Sequence, residues 1–261
     1  MPATIPHVMI TRHAFSAALA AGAAASLLTA ARPAQAAAVR NIVLVHGLYA
    51  DGSSWSAVIP RLQALGMRVT AVQNSLTSFA EDVAATRRAL DMQVGPTVLA
   101  AHSYGGMVAT EAGVHPNVTA LVYVAARAPD AGEDYGALAM KFPAPPASAG
   151  LVKNGNYLQL NEAAFLNDFA NGVDPVRAQE LFAVQQPNAA TLSPRARTTH
   201  AAWRSRPSWY AVSKLDRTID PDLERFMAAR MKATTIEIDA GHLSLVSHPT
   251  EVTKLILAAA G

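Results

Sequence analysis

The stretch that most limits how this chain can fold is Ala101-His102-Ser103-Tyr104-Gly105-Gly106. It follows the apolar run Thr97-Val98-Leu99-Ala100 and precedes the helix-forming run Met107-Val108-Ala109-Thr110-Glu111-Ala112. The serine therefore falls on a sharp strand-to-helix turn, the setting of a nucleophile elbow, where a hydroxyl is pushed out above a sheet edge. So tight a turn strains the backbone at the serine and admits only small neighbours. Gly105 is the small residue on the helix side, while Ala101 stands where the G-x-S-x-G pattern has glycine. The expectation is an elbow crowded by one methyl group and otherwise intact. Serine is also a favoured helix N-cap, so the hexapeptide alone leaves a purely structural reading open.

With 51% hydrophobic and 15% charged residues over 261 positions, the chain can bury one large core. There is no cysteine, which excludes a disulfide framework, a thiolate nucleophile and a cysteine-based metal site. Residues 1–36 differ from the rest: Arg12 precedes the uncharged, alanine-rich run Ala14 to Ala30, and Ala34-Gln35-Ala36 forms a small-x-small cleavage site. This pattern reads as an export signal, with a flexible or helical extension as the alternative, and it places the mature protein in the periplasm or outside the cell. Thr11-Arg12-His13-Ala14-Phe15 is like a twin-arginine motif with His13 at the second arginine, which leaves the export route open. The run is too short and alanine-rich for a comfortable membrane span, and a lipid anchor would need a cysteine. The formal net charge is +2. Removing the leader with Arg12 and Arg32 makes basic and acidic residues equal in number, leaving no electrostatic footprint for nucleic acid.

From Val39 the punctuation alternates strand and helix. Asn41 to Val45 is a continuous β-branched run of the kind found in buried parallel strands. A glycine-containing loop, His46 to Trp55, feeds a helix through Ile59, Leu62 and Leu65. Strands at Met67 to Val72, Pro96 to His102 and Val118 to Val124 alternate with helices at Phe79 to Leu90 and after the elbow, giving successive crossovers in a mostly parallel sheet. Periodicity breaks between about Ala131 and Arg206, where prolines separate short helical pieces. One such piece, Glu162 to Ala170, sets Phe165, Leu166 and Phe169 on one face; another starts at Asp174-Pro175. Residues 131–206 thus read as a helical cap inserted over the sheet edge, between core segments 37–130 and 207–261. The sheet resumes at Ser208 to Ser213, a helix starts at Pro221, Thr234 to Ile238 is the last strand, and His248-Pro249 opens a closing helix.

A serine hydroxyl needs a base to take its proton, and an imidazole base needs a carboxylate to fix its tautomer and stabilise its charged form. In a parallel sheet the C-terminal strand edges converge, so groups remote in sequence meet there. Ser103 follows the third strand, Asp216 the fifth and His242 the sixth, in the chain order Ser, Asp, His. Competing histidines have cheaper explanations: His46 and His102 in local bonding and packing, His115, His200 and His248 at helix ends or in the cap. Among the acids, Asp220 and Asp222 compete with Asp216, but Asp220 precedes Pro221 and suits a helix cap. Asp239 would approach the imidazole at an awkward angle. Donors for an oxyanion would be the backbone amides of Tyr104, after the serine, and Leu48, in the loop after the first strand.

These residues, with Val45-His46-Gly47, Asp216 before Ile219-Asp220-Pro221, and Gly241-His242, resemble the α/β-hydrolase superfamily from about Arg40 onward. Within it the chain is similar to the branch of small bacterial carboxylesterases, plant methylesterases and hydroxynitrile lyases. The resemblance implies a parallel sheet under a helical cap, no metal and no organic cofactor. It also implies ester hydrolysis, with Ser103 as nucleophile, His242 as base and Asp216 orienting it. Ser103 occupies the elbow where epoxide hydrolases and haloalkane dehalogenases place aspartate. Gly47 and Leu243 stand where plant lyases tend to carry threonine and lysine, so the charge that would hold a leaving cyanide is missing. The expectation is a cofactor-free serine esterase acting on a small or apolar ester, with peroxide chemistry as a conceivable side activity. The alternatives are a lactone or amide hydrolase, or a non-catalytic ligand-binding protein of the same fold. The expected partners are a small-molecule ester, with no nucleic acid and no stable membrane anchor.

Overall fold

The structure, a computed structural model, describes Met1, residues 39–192 and residues 196–261. Apart from Met1, the stretch read as an export signal lies outside the described residues. Strands β1 (Asn41–Val45), β2 (Arg68–Ala71), β3 (Thr97–His102) and β4 (Val118–Val124) alternate with helices α1 (Ile59–Ala64), α2 (Phe79–Asp91) and α3 (Gly105–Ala112). After the insertion, β8 (Ser208–Ser213) and β9 (Thr234–Ile238) complete the sheet. The order is β2-β1-β3-β4-β8-β9, every pair parallel. The expected parallel α/β-hydrolase sheet is present. Its order reverses at β1 and β3, so the loops after those two strands open a crevice at the C-terminal edge.

A parallel strand is covered on both faces, and the period-two alternation of side chains divides the apolar runs between them. Ile42, Leu44, Val98 and Ala100 pack on one face with Trp55, Leu62 and Ile256. Val43, Val45, Leu99 and Ala101 pack on the other with Leu90, Met107 and Val108. No described helix is long and apolar enough to cross a membrane.

The insertion carries α4 (Tyr135–Ala139), α5 (Glu162–Ala164) and α6 (Pro175–Ala183), but also strands β5 (Leu151–Asn154), β6 (Tyr157–Leu160) and β7 (Asn188–Ala189), which form a separate antiparallel sheet. The hairpin β5–β6 turns at Gly155-Asn156, with Gly155 at φ +57° in the first turn position, the pattern of a type II′ turn. Strand β5 is exposed throughout and β6 buries only Leu160, so these four-residue runs carry little hydrophobic pattern and the turn dipeptide was the main local sign of them. The run predicted as helix over Glu162 to Ala170 starts as α5 and widens into a π-helical turn at Phe165–Phe169. Asp174 and Asp220 cap α6 and α7 (Pro221–Arg230) as their Asp-Pro pairs predict, each accepting two backbone N–H groups. The chain closes with α8 (Ser244–Ser247) and α9 (Pro249–Ala260).

One carboxylate ties the end of the insertion to the helix that carries the elbow. Glu111 of α3 accepts hydrogen bonds from Thr199 N (2.7 Å), Thr199 Oγ1 (2.8 Å) and His200 N (2.9 Å), and lies 2.9 Å from His200 Nδ1. Burial alone would raise its carboxyl, but the bonds from His200 and Thr199 outweigh it and hold Glu111 below the usual carboxylate range. A depressed carboxyl contributes stability that is present above its unfolded value and lost as pH falls through its folded value. Glu111→Ala is therefore expected to cost about 2 kcal/mol at neutral pH, the scale of unpairing buried N–H groups, and progressively less on acidification. Urea denaturation of wild type and variant across the carboxylate range checks this; a pH-independent difference would contradict it.

Candidate active site

Ser103 directly follows β3 with φ +54°, in the left-handed region that costs a residue with a Cβ about 1–2 kcal/mol. Hydrogen bonds hold it there. Its N–H donates to Val124 O (3.3 Å), and its carbonyl accepts from Gly106 N (3.0 Å) and Arg127 N (2.9 Å). The turn is possible because the loop after β1 presses against it. A Cβ on Gly105 would lie 2.6 Å from His46 O, and one on Gly47 would lie 2.6 Å from Ser103 Cβ and 3.2 Å from Ser103 Oγ. Ala101 is fully buried within β3, paired with Val45 and Tyr123, and its methyl leaves the elbow intact.

The three groups read from the sequence meet. Ser103 Oγ lies 2.9 Å from His242 Nε2, and His242 Nδ1 lies 2.6 Å from Asp216 Oδ2. With Nδ1–H donating to Asp216, the neutral ring leaves Nε2 to accept from the serine hydroxyl. Asp216 Oδ1 in turn accepts from Thr218 N (2.6 Å) and Ile219 N (2.9 Å), which fixes the carboxylate plane. The Ser103 and His242 residues are buried, and the imidazole is enclosed by Phe169 at 5.2 Å and His102 at 4.6 Å between ring centroids. Asn171 of the insertion donates to Leu215 O (2.8 Å), and its carbonyl would sit 2.2 Å from any Cβ on Gly241. The residue before His242 is therefore glycine because the insertion packs against it.

The competitors are occupied elsewhere. His46 Nε2 accepts Asn74 N–H (2.9 Å), so its Nδ1–H donates to Gly47 O (2.9 Å), and burial lowers its basicity. His102 uses Nε2–H to hold the His242 carbonyl (3.0 Å), and burial, reinforced by the neighbouring His242, pushes it well below the usual histidine range. His115 faces Asp91, His200 faces Glu111, and His248 Nδ1 lies against Ser247 Oγ. Asp220 caps α7, Asp222 binds Arg225, and Asp239 pairs with Lys214.

Leu48 and Tyr104 are both buried, and among the described residues neither backbone amide donates a hydrogen bond. The Tyr104 side chain is anchored away from them, its hydroxyl donating to Asp82 Oδ2 (2.9 Å). Burial, only partly offset by bonds from Leu76, Tyr104 and Ser75, pushes the Asp82 carboxyl up from its usual range. One polar residue next to the site was not singled out in the sequence. Glu224 is fully buried on α7 beside Leu223, Met227 and Ala228. A glutamate on the core-facing stripe of a helix, eight positions after Asp216, was the available signal. A cavity of about 230 Å³ adjoins these elements, lined by Tyr49, Tyr135, Leu160 and Ile219, with Arg127 on its wall.

Comparison with known proteins agrees with this architecture. The sequence profile of the alpha/beta hydrolase family matches residues 42–255. The chain belongs to the alpha/beta hydrolase family. This hydrolase is 24% identical over 254 residues to Esterase PIR7B of Oryza sativa subsp. japonica, covering 84% of this chain and 94% of the rice protein. Its fold matches polyneuridine aldehyde esterase with a TM-score of 0.73 at 19% identity, over 85% of this chain and 99% of that one. It matches a pyrethroid hydrolase from Sphingobium faniae JZ-2 with a TM-score of 0.67 at 21% identity, over 85% and 97%. Both likenesses show the same fold, a parallel sheet of the alpha/beta-hydrolase kind.

The close approach at Gly47 makes a specific expectation for this hydrolase. Gly47→Ala puts a methyl against Ser103 Cβ, so either the loop or the elbow must shift. The rate at which a fluorophosphonate labels Ser103 is expected to fall at least about tenfold, the cost of a misplaced reacting group, with the circular dichroism unchanged. Unaltered labelling would show that the loop gives way freely.

Proposed function

We propose that the chain is a serine esterase that hydrolyses carboxylic esters through an acyl-enzyme. The observation that carries the reading is the unbroken hydrogen-bonded line from Ser103 Oγ through His242 to Asp216. In this reading His242 Nε2 takes the hydroxyl proton as Ser103 Oγ attacks the acyl carbon, and Asp216 stabilises the imidazolium that forms. The negative charge develops on the former carbonyl oxygen, where the unengaged amides of Tyr104 and Leu48 are the available donors. The imidazolium then protonates the departing alkoxide. Water, deprotonated by the same nitrogen, attacks the acyl carbon, releases the acid and restores Ser103.

The adjoining cavity is small and largely apolar in its lining, which favours an ester whose group on that side is short. Similarity to proteins named as esterases and pyrethroid hydrolases supports an ester over an amide. Export by the leader ending near Ala36 belongs to the same proposal, on the strength of Arg12, the alanine-rich run and Ala34-Gln35-Ala36.

The test is hydrolysis of p-nitrophenyl esters of graded acyl length by wild type and Ser103→Ala. Short acyl chains are expected to be preferred, with at least about a 10³-fold loss in kcat on removing the hydroxyl. Wild-type kcat/KM is also expected to fall on the acid side, because a protonated imidazole cannot act as base. Turnover that survives Ser103→Ala would remove the serine from the mechanism.

A further inference from the structure

Glu224 has no part in the proton transfers above, yet its carboxyl lies against that of Asp216. It is the fourth residue of α7 and fully buried. Its Oε2 accepts Ser213 N–H (3.1 Å), and among the described residues no N–H or O–H donor reaches Oε1. Ser213, whose N–H Glu224 accepts, in turn accepts the Asp216 N–H (3.1 Å), so the turn from Ser213 to Asp216 brings the two carboxyl groups side by side, where each acts on the other. Two carboxylates can share a hydrogen bond only when one of them holds a proton. Asp216 faces three donors, the amides of Thr218 and Ile219 and the imidazole Nδ1–H, whereas Glu224 faces one. The charge belongs where the donors are, on Asp216, and the proton belongs on Glu224.

We propose that Glu224 is a positioning residue for Asp216: as a neutral carboxylic acid it donates a hydrogen bond to that carboxylate, holding its aim at His242 and moderating its basicity. The inference rests on the reading of Ser103, His242 and Asp216 as the working triad. Burial, with the charge of Asp216 next, pushes the Glu224 carboxyl well above the usual range, in keeping with the proton assignment. The surroundings do not reverse it. Tyr210 of β8 and Tyr135 of α4 stand within electrostatic reach, and Arg225 on the same helix is partly exposed and engaged by Glu237 and Asp222. On the imidazole side the only other titratable ring in contact among the described residues is His102, kept neutral by burial.

The sign of the effect follows. Withdrawing a donor from Asp216 leaves it more basic, which favours the imidazolium and moves the acid limb of the pH–rate profile to higher pH. The experiment compares full-length wild type, Glu224→Gln and Glu224→Leu by kcat/KM against pH on p-nitrophenyl acetate, by NMR titration of the imidazole, and by difference infrared spectroscopy. Glutamine can donate to Asp216 and accept from Ser213, so its acid limb and kcat are expected to stay within about threefold of wild type. Leucine is expected to lose about tenfold in kcat, the scale of one hydrogen bond to a charged group, and to shift the limb upward. A protonated-carboxyl C=O band present in wild type and absent in Glu224→Gln is expected at neutral pH. A limb moved to lower pH in Glu224→Gln would overturn the proposal, since it would mean that a negative charge had been removed. Absence of the infrared band overturns it as well, even if Glu224→Leu does not fold. Should no ester be turned over by any of the three proteins, the hydrolase reading fails, while the band and the imidazole titration still decide the role of Glu224.

Discussion

The left-handed backbone at Ser103 is the constraint from which the other features of the site follow. A residue with a Cβ is held in that conformation only when its surroundings over-determine it. Here the surroundings are three backbone hydrogen bonds to the serine, from β4, the loop after β4 and the first turn of α3. The loop after β1 completes the enclosure, and it can come so near only because Gly47 and Gly105 have no side chain. The strain has a structural use: it points the hydroxyl away from the sheet and toward the imidazole from the loop after β9.

The imidazole is held with equal economy. Asp216 binds its Nδ1, His102 binds its carbonyl, Phe169 of the insertion packs on the ring, and Asn171 of the insertion packs on the preceding Gly241. These contacts come from three different segments of the chain, so the insertion is part of the wall of the site as well as a cover over it. The acid is fixed by two amides of its own loop. Behind it lies a second carboxyl, and a buried pair of like groups forces a division of labour between an ionised and a neutral member. The division is set by the count of donors around each group, which is a property of the loop after β8 and the first turns of α7.

Much of the architecture was legible in the sequence because its signals are local. Continuous β-branched runs mark strands covered on both faces, Asp-Pro pairs mark the starts of α6 and α7, and the small residues around Ser103 mark the elbow. The positions of Ser103, Asp216 and His242 after the third, fifth and sixth strands put them at one edge of the sheet, since the ends of parallel strands converge there. The hairpin β5–β6 was missed because β5 is exposed throughout and β6 buries only Leu160, which leaves little hydrophobic pattern to read in two four-residue runs. The π-helical turn was missed because Phe165, Leu166 and Phe169 suit an ordinary helix face equally well.

The sequence by itself determined the parallel sheet, the elbow with its serine, and the placing of a histidine and a group of candidate aspartates at the sheet edge, because each depends on residue types within a few positions of one another. Only the tertiary structure decided which aspartate meets His242, which histidines are spent on backbone bonds, and that Glu224 stands behind the acid. Those outcomes depend on distances between groups from eight to more than a hundred residues apart. Such distances are set by how side chains of particular volume pack between strands and helices, and no local pattern encodes them.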